Sequence, residues 1–422
     1  MKRNYMWMLS SKLALMIAAV VTASLINRTL GPDLRGVLAE IQTWAALIVS
    51  CFGFSIDTAI YHFSNRELYP GEDQDHLATV VCITLLCSLL ASLFFFLLVH
   101  GRPGSVSQTT LKYLSLMIVL IISTMFSSNL AVFYQARERM VLSAVAGFSQ
   151  AIINLMLIVF AYFIQLLDLK IIIISLIIVQ SVAVVIFIFA GTRGQFLSGH
   201  CSLSLARGMF LAGIKQHAAT VSTFVYVKVN QLLVIKFCGE TQSGLFAVSL
   251  SLITAAMVIP STLQLVLYPR VLQHSDEYEI TIKTLGITFY IWGFCILLGL
   301  ILAKPILMIY GGSEFSGAIS SFRILLFTAW LLPLSSMISP YYVKKGAFML
   351  ASATAVFLGI ISIILNVILI RSLGINGAAW ATSITAITGF VIVLLMLWYL
   401  SNRNPLRFLN ITYVSGWRFN KE

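Results

Sequence analysis

Lys228 lies well inside one long apolar run of the chain, and Arg323 inside another. A cation in such surroundings is costly and requires a cavity, an anion or a counter-ion. Lys12, Lys215 and Arg270 are further bases within or near the ends of apolar runs, where long stems could instead carry the charge to a membrane surface. Together the five make a candidate binding set for an anionic group. Two titratable groups accompany them. Asp57 closes a series of polar positions at seven-residue steps, Thr43, Ser50 and Asp57, with Tyr61 four residues further on. It reads either as a proton- or sodium-coupling acid or as the counter-ion of Lys228. His217 shares a helical face with Thr220, Lys228 and Gln231. It either titrates in the working pH range or is packed and hydrogen-bonded. Asn230, Gln231, Thr220 and Gln264 are the neutral polar groups expected beside these charges.

Helices in lipid must position them. The chain of 422 residues is 59% hydrophobic and only 10% charged, more apolar surface than a soluble domain could hide. In hydrocarbon every backbone N–H and C=O must be paired, which leaves helices or closed barrels. The apolar runs are about 20 residues long and do not alternate, so they are helices. About twelve spans are expected near 9–29, 37–63, 77–99, 112–134, 140–164, 169–190, 210–236, 243–268, 284–304, 318–339, 347–370 and 376–399. Met1-Lys2-Arg3 before the first run imitates a signal peptide, but the run leads straight into a repeated turn and is read as a retained helix. Lys and Arg are biased about two to one towards one set of loops, which places both termini in the cytoplasm.

The chain repeats itself. Arg28-Thr-Leu-Gly31-Pro-Asp-Leu-Arg-Gly36-Val-Leu-Ala39 and Lys236-Phe-Cys-Gly239-Glu-Thr-Gln-Ser-Gly244-Leu-Phe-Ala247 carry base, Gly, Gly and Ala at the same spacing, 208 residues apart. Arg371…Gly374…Gly377 is a shortened echo. The repeated base reads as a cation at a helix C-terminus or as a snorkelling side chain. A second repeat pairs Ser143, Gly147, Gln150 and Asn154 with Ala355, Gly359, Ser362 and Asn366, each set on one helical face, where small and polar residues let helices approach. Tyr134…Arg137 and Tyr342…Lys345 precede them at the same 208-residue offset. The expected fold is therefore an all-α integral membrane protein with two six-helix bundles, 1–207 and 208–422, around a central cavity.

Much chemistry is excluded. There is no G-x-x-x-x-G-K-[ST] loop, no H-E-x-x-H and no metal-spaced His/Cys cluster. Paired carboxylates in a long outer loop, which a glycosyl-transferring enzyme would use as acid and base, are also missing. The six cysteines form no C-x-x-C pair and read as small packing residues. What remains is transport.

Five motifs then carry a resemblance: Arg28-x-x-Gly31-Pro32-x-x-x-Gly36; Asn230-Gln231-Leu-Leu-Val-Ile-x-x-x-Gly239…Gly244-Leu-x-Ala247; Tyr268-Pro269-Arg270; Ile309-Tyr310-Gly311…Phe315; and Leu373-Gly374-x-x-Gly377-Ala378-Ala379-x-Ala381-Thr382. Spread over nearly the whole chain, they make it resemble the polysaccharide-exporter branch of the multidrug/oligosaccharidyl-lipid/polysaccharide (MOP) superfamily, most closely the Wzx-type O-antigen flippases. Asn230 stands where that family often has Asp. The resemblance implies a V of two bundles in the bacterial cytoplasmic (inner) membrane. It implies movement of an undecaprenyl-pyrophosphate-linked oligosaccharide from the inner to the outer leaflet. A polysaccharide polymerase and a chain-length regulator are candidate partners beside membrane lipid. No nucleic acid, cofactor or catalysis is expected, only H+ or Na+ as coupling ion. Two rivals are a cation-coupled drug antiporter of the same fold and a membrane-embedded polysaccharide polymerase; a third is a non-transporting scaffold.

Overall fold

Backbone groups that leave water must bond within their own segment, and every regular element among the described residues is helical. The computed structural model describes residues 2–64, 73–102, 104, 106–192, 199–273, 276–410 and 412–413. Some side chains, 2–13 and 265–270 among them, also lie outside that set. The helices are α1 (Lys2–Phe52), α2 (Ile56–Phe63), α3 (Asp73–Gly101), α4 (Gln108–Leu111), α5 (Leu114–Ala136), α6 (Met140–Phe163) and α7 (Leu169–Thr192). They continue with α8 (Leu203–Ala256), α9 (Val258–Gln273), α10 (Glu277–Ile301), α11 (Ala303–Gly311), α12 (Ile319–Met337), α13 (Ser339–Lys344) and α14 (Phe348–Ser401).

Nine stretches among the described residues are long and apolar enough to cross a membrane. Three of them, Ala14–Phe52, Leu203–Gln264 and Met349–Ser401, are 39, 62 and 53 residues long, far more than the roughly 20 that one crossing needs. Each contains a glycine at which two helical runs meet: Gly31 (φ 66°, ψ 178°), Gly239 (φ 83°, ψ −179°) and Gly374 (φ 58°, ψ −136°). Only glycine adopts these angles cheaply. The repeated turn is thus one backbone device used three times. Pro32 follows the first, opening the next run where its missing N–H costs nothing. Gly312, after α11, takes the same conformation (φ 92°, ψ −179°). Residues across the turn are tied together: Arg35 Nε donates to Asn27 Oδ1 at 2.9 Å, and Gln231 Nε2 to Ser243 Oγ at 2.7 Å. Arg28, Lys236 and Arg371 are exposed beside the turns, and the Arg371 guanidinium lies 5.0 Å from the Phe237 ring. Gly36 and Gly244 are buried.

The chain forms two compact units, Val21–Phe224 and Val225–Glu422 together with Met1–Val20. The sequence repeat divides at 207/208, whereas the packing divides inside α8. The reason is local: the first part of α8 is held by the unit Val21–Phe224, with Gly213 against the Phe54 carbonyl and Gly208 against the Phe63 ring.

In that unit α5 packs on α3 and α7, and α6 on α7, around a core that includes Leu30, Ile41, Phe95, Met117 and Phe187. Polar pairs cross between helices, as expected of a membrane bundle: Asn129 Nδ2 donates to Thr84 Oγ1 at 2.9 Å, Gln150 Nε2 to Gln180 Oε1 at 2.9 Å and Ser175 Oγ to Asn154 Oδ1 at 3.4 Å. Glu40, 2% exposed, accepts from Ser107 N, Ser107 Oγ and Thr110 Oγ1 at 3.1, 2.7 and 2.6 Å. The buried carboxyl group is thereby satisfied by Ser107, the N-cap of α4, and by Thr110 within that helix.

In the other unit α12 packs on α14 and α10. Asn366 is buried and donates to Ser362 O at 2.8 Å. The repeated tyrosines behave alike in both units: Tyr134 donates to Phe187 O and Tyr342 to Val393 O. Pro333 lies inside α12 and cannot donate to the carbonyl one turn back; that carbonyl, of Ala329, accepts from Trp292 Nε1 at 2.8 Å. Trp292→Phe should therefore lower stability by roughly 1–3 kcal/mol, the cost of an orphaned buried acceptor. Thermal melting in detergent would show this, and an unchanged midpoint would remove the indole from that role. At one end of the unit Lys345 Nζ lies 2.6 Å from Glu277 Oε1, and that carboxylate holds the Lys345 ammonium above the ordinary lysine range. Arg403 meets Asp276 at 2.9 Å, and Phe408 is buried, so the segment after α14 is docked on α10.

Candidate functional site

The second expected span, 37–63, is not one helix. α1 ends at Phe52 and α2 begins at Ile56. Between them Gly53 bends, and Phe54 and Ser55 take φ of 47° and 51°. Two successive non-glycine residues in the left-handed region cost of order 1–3 kcal/mol each unless their surroundings hold them. Here they are held. Ser55 Oγ donates to Thr220 Oγ1 of α8 at 2.8 Å. The Phe54 ring lies 5.3 Å from Phe210 and 5.4 Å from His217. Gly213 makes room for the Phe54 carbonyl, since a Cβ there would stand 2.4 Å from its oxygen.

Gly213, His217 and Thr220, at i, i+4 and i+7, are one face of α8. The break therefore gathers Ser55, His217 and Thr220, with Asp57 in the first turn of α2. Asp57 is exposed and has no partner within its own unit among the described residues. His217 is half-buried, and its Nδ1 is buried with no hydrogen-bond partner there. Irregular backbone at membrane depth is tolerated where it lines a cavity or is buried in protein. Removing the acceptor should loosen the break: Thr220→Val should lower stability by about 1 kcal/mol of lost hydrogen bond, read as a lower melting midpoint in detergent. An unchanged midpoint for this variant would make the bond dispensable.

The other unit has a matching interruption. α8 ends at Ala256 and α9 starts at Val258, with Pro260 just beyond removing one backbone donor. A cavity of about 430 Å³ opens there, lined by Tyr226, Met257, Ser261, Pro333, Ser335 and Ser336 together with apolar side chains of α12 and α14. It offers hydroxyls on an apolar wall.

The expected site residues divide accordingly. Lys228 and Arg323 are exposed, on α8 and α12, and neither has an ion-pair or hydrogen-bond partner within its own unit among the described residues. Lys215 is exposed on α8. The side chains of Lys12 and Arg270 lie outside the described residues. Asn230 and Gln231, expected as polar groups beside the charges, are buried in packing within their own unit. They are 1% and 3% exposed; Asn230 donates to Thr382 Oγ1 at 2.9 Å, and Gln231 to Ser243 O at 3.0 Å. A buried amide needs partners, and packing within the unit supplies them for the Asn230 side chain and the Gln231 NH2 group. Gln264 is likewise engaged, donating to Ser336 O at 2.8 Å. Sequence reasoning missed Phe54, Ser55, Tyr226 and Ser261. Gly53 inside a span and Pro260 inside another were the available signals. Among the described residues no three His, Cys, Asp or Glu side chains gather as a metal would require.

Three solved structures are similar along nearly their whole length. The lipid II flippase MurJ, in an inward closed conformation, matches with a TM-score of 0.72 at 15% identity, over 97% of this chain and 93% of its own. An inward-facing multidrug resistance MATE family transporter of the MOP superfamily matches at 0.68 and 13%, over 93% and 98%. The MATE multidrug transporter DinF-BH matches at 0.61 and 17%, over 94% and 96%. No curated protein matches the chain significantly. The family model described as polysaccharide biosynthesis protein matches residues 1–275. The chain thus belongs to the polysaccharide biosynthesis protein family, as a multi-pass helical membrane protein with the fold of MOP-superfamily transporters.

Proposed function

We propose that this protein is a flippase that moves an undecaprenyl-pyrophosphate-linked oligosaccharide, the repeat unit of O-antigen or a similar surface polysaccharide, from the cytoplasmic to the outer leaflet of a bacterial inner membrane. Twelve spans follow when the three over-long stretches are divided at Gly31, Gly239 and Gly374. They form two six-helix bundles, 1–207 and 208–422, with both termini cytoplasmic. The bundles work by alternating access. Lys228 and Arg323 engage the pyrophosphate, with Lys12, Lys215 and Arg270 towards the cytoplasmic surface. Asp57 and His217, at the helix break, are the groups that would take up a coupling H+ or Na+. The protein makes and breaks no covalent bond.

One observation carries this reading: Lys228 is exposed well inside a span with no carboxylate partner in its own unit among the described residues. An unneutralised cation at that depth fits an anionic cargo, and the family and the likeness to a lipid II flippase supply its class. A pyrophosphate crosses hydrocarbon slowly unaided because burying its charge is costly. The direct test is reconstitution: purified protein in vesicles should make a labelled polyprenyl-pyrophosphate oligosaccharide accessible to an external glycosidase. Vesicles that remain as impermeable as protein-free ones would overturn the reading. The alternative, a cation-coupled drug antiporter, draws on the likeness to MATE transporters. It would need carboxylates to meet cationic drugs, and a deletion strain with altered drug tolerance but normal surface glycan would favour it.

A further inference from the structure

Residues 199–202, just before α8, lie along the first turns of α3. The His200 amide donates to Asp75 Oδ1 at 2.6 Å, and the Ser202 amide to Thr79 Oγ1 at 3.0 Å. Gly199 sits so close to Gln74 that a Cβ would stand 2.2 Å from its carbonyl oxygen. Asp75, Thr79 and Cys82, at i, i+4 and i+7, share one face of α3. Cys201 is held between the two anchored amides, and its thiol lies against that of Cys82, the third member of that face. Both thiols are exposed, so a small oxidant can reach them. All of these residues belong to the unit Val21–Phe224.

We propose that Cys82 and Cys201 are a redox site, closed to a disulfide by a small-molecule disulfide such as oxidised glutathione. The Cys201 thiolate attacks one glutathione sulfur and expels a glutathione thiolate. The Cys82 thiolate then attacks the Cys201 sulfur of the mixed disulfide and expels the second. Two protein thiols are oxidised, one glutathione disulfide is reduced, and the two protons pass to the departing glutathiones. The product fastens the entry of α8 to α3 covalently, where two backbone hydrogen bonds hold it in the reduced protein. In the orientation proposed above this end faces the cytoplasm, where such disulfides are transient and regulatory. α8 also carries His217 and Lys228, so on the flippase reading the cross-link should slow the change of access.

The test uses the purified full-length protein, reduced and then exposed to oxidised glutathione, with remaining thiols alkylated and peptides identified by mass. The expected result is a Cys82–Cys201 link in most molecules, reversed by dithiothreitol, while exposed Cys295 carries only glutathione or the alkylating agent. Independent modification of Cys82 and Cys201, or a link that forms as readily in detergent-unfolded protein, would overturn the inference. The transport consequence rests on the flippase reading and is measured separately: oxidation should slow flipping several-fold in wild type and leave Cys201→Ser unaffected. A formed link with unchanged flipping sinks that consequence. Absence of flipping by the reduced protein counts against the flippase reading alone, since the mass measurement still decides the thiol pair.

Discussion

On the proposed flippase reading, Lys228→Glu should abolish glycan export from cells that contain the protein at wild-type level. Reversing a charge that meets an anionic partner in a desolvated site costs about 2–5 kcal/mol, which is roughly 30-fold to several thousand-fold in binding. Lys228 has no carboxylate partner in its own unit among the described residues, so its substitution breaks no internal ion pair there. A loss of transport would then report on cargo rather than on folding. Lys228→Arg should retain most activity, because the charge stays in place. Surface glycan staining in a complemented deletion strain and flipping in vesicles are the two readouts. Normal glycan from a well-expressed Lys228→Glu protein would remove this residue from the mechanism.

The largest effect on folding should come from Gly377→Ala. A Cβ at Gly377 would stand 1.8 Å from the Leu369 carbonyl oxygen. The obstacle is backbone of the preceding helical run, so no side chain can swing away. The cost should lie at or above the roughly 1–3 kcal/mol of ordinary overpacking, a large share of the roughly 5–15 kcal/mol that holds a typical protein folded. Gly239→Ala provides the contrast. A Cβ there meets nothing within 4 Å, so only the strain at φ 83° remains, roughly 1–3 kcal/mol. Folded yield and melting midpoint in detergent should fall for both and fall further for Gly377→Ala. Equal melting of Gly377→Ala and wild type would mean that the turn is looser than its geometry implies.

The two glycines show how far the chain could be read in advance. Spacing alone marked Gly31, Gly239 and Gly374 as one repeated turn, and all three adopt positive φ. A turn that only glycine can make leaves its mark at a fixed sequence position. Gly312 uses the same conformation without the full motif, so spacing does not mark it. The polar stripe through Gln150 and Asn154 predicts helix packing, and both side chains bond to α7. The helix break at Phe54 and Ser55 is marked in the sequence only by Gly53, and a single glycine inside an apolar span is compatible with continuous helix. The break exists because Thr220 and Gly213, far along the chain, hold it.

Composition and local spacing by themselves determined the membrane environment, the helical class and the glycine turns, since each depends only on residues within one or two helical turns. Tertiary structure decided the rest. It buried Asn230 against Thr382 and Gln231 against Ser243, left Lys228 without a carboxylate among the described residues of its unit, and set Cys82 beside Cys201. Which of two neighbouring polar side chains is spent on packing depends on where a partner from another helix arrives. Helical periodicity carries no record of that distance.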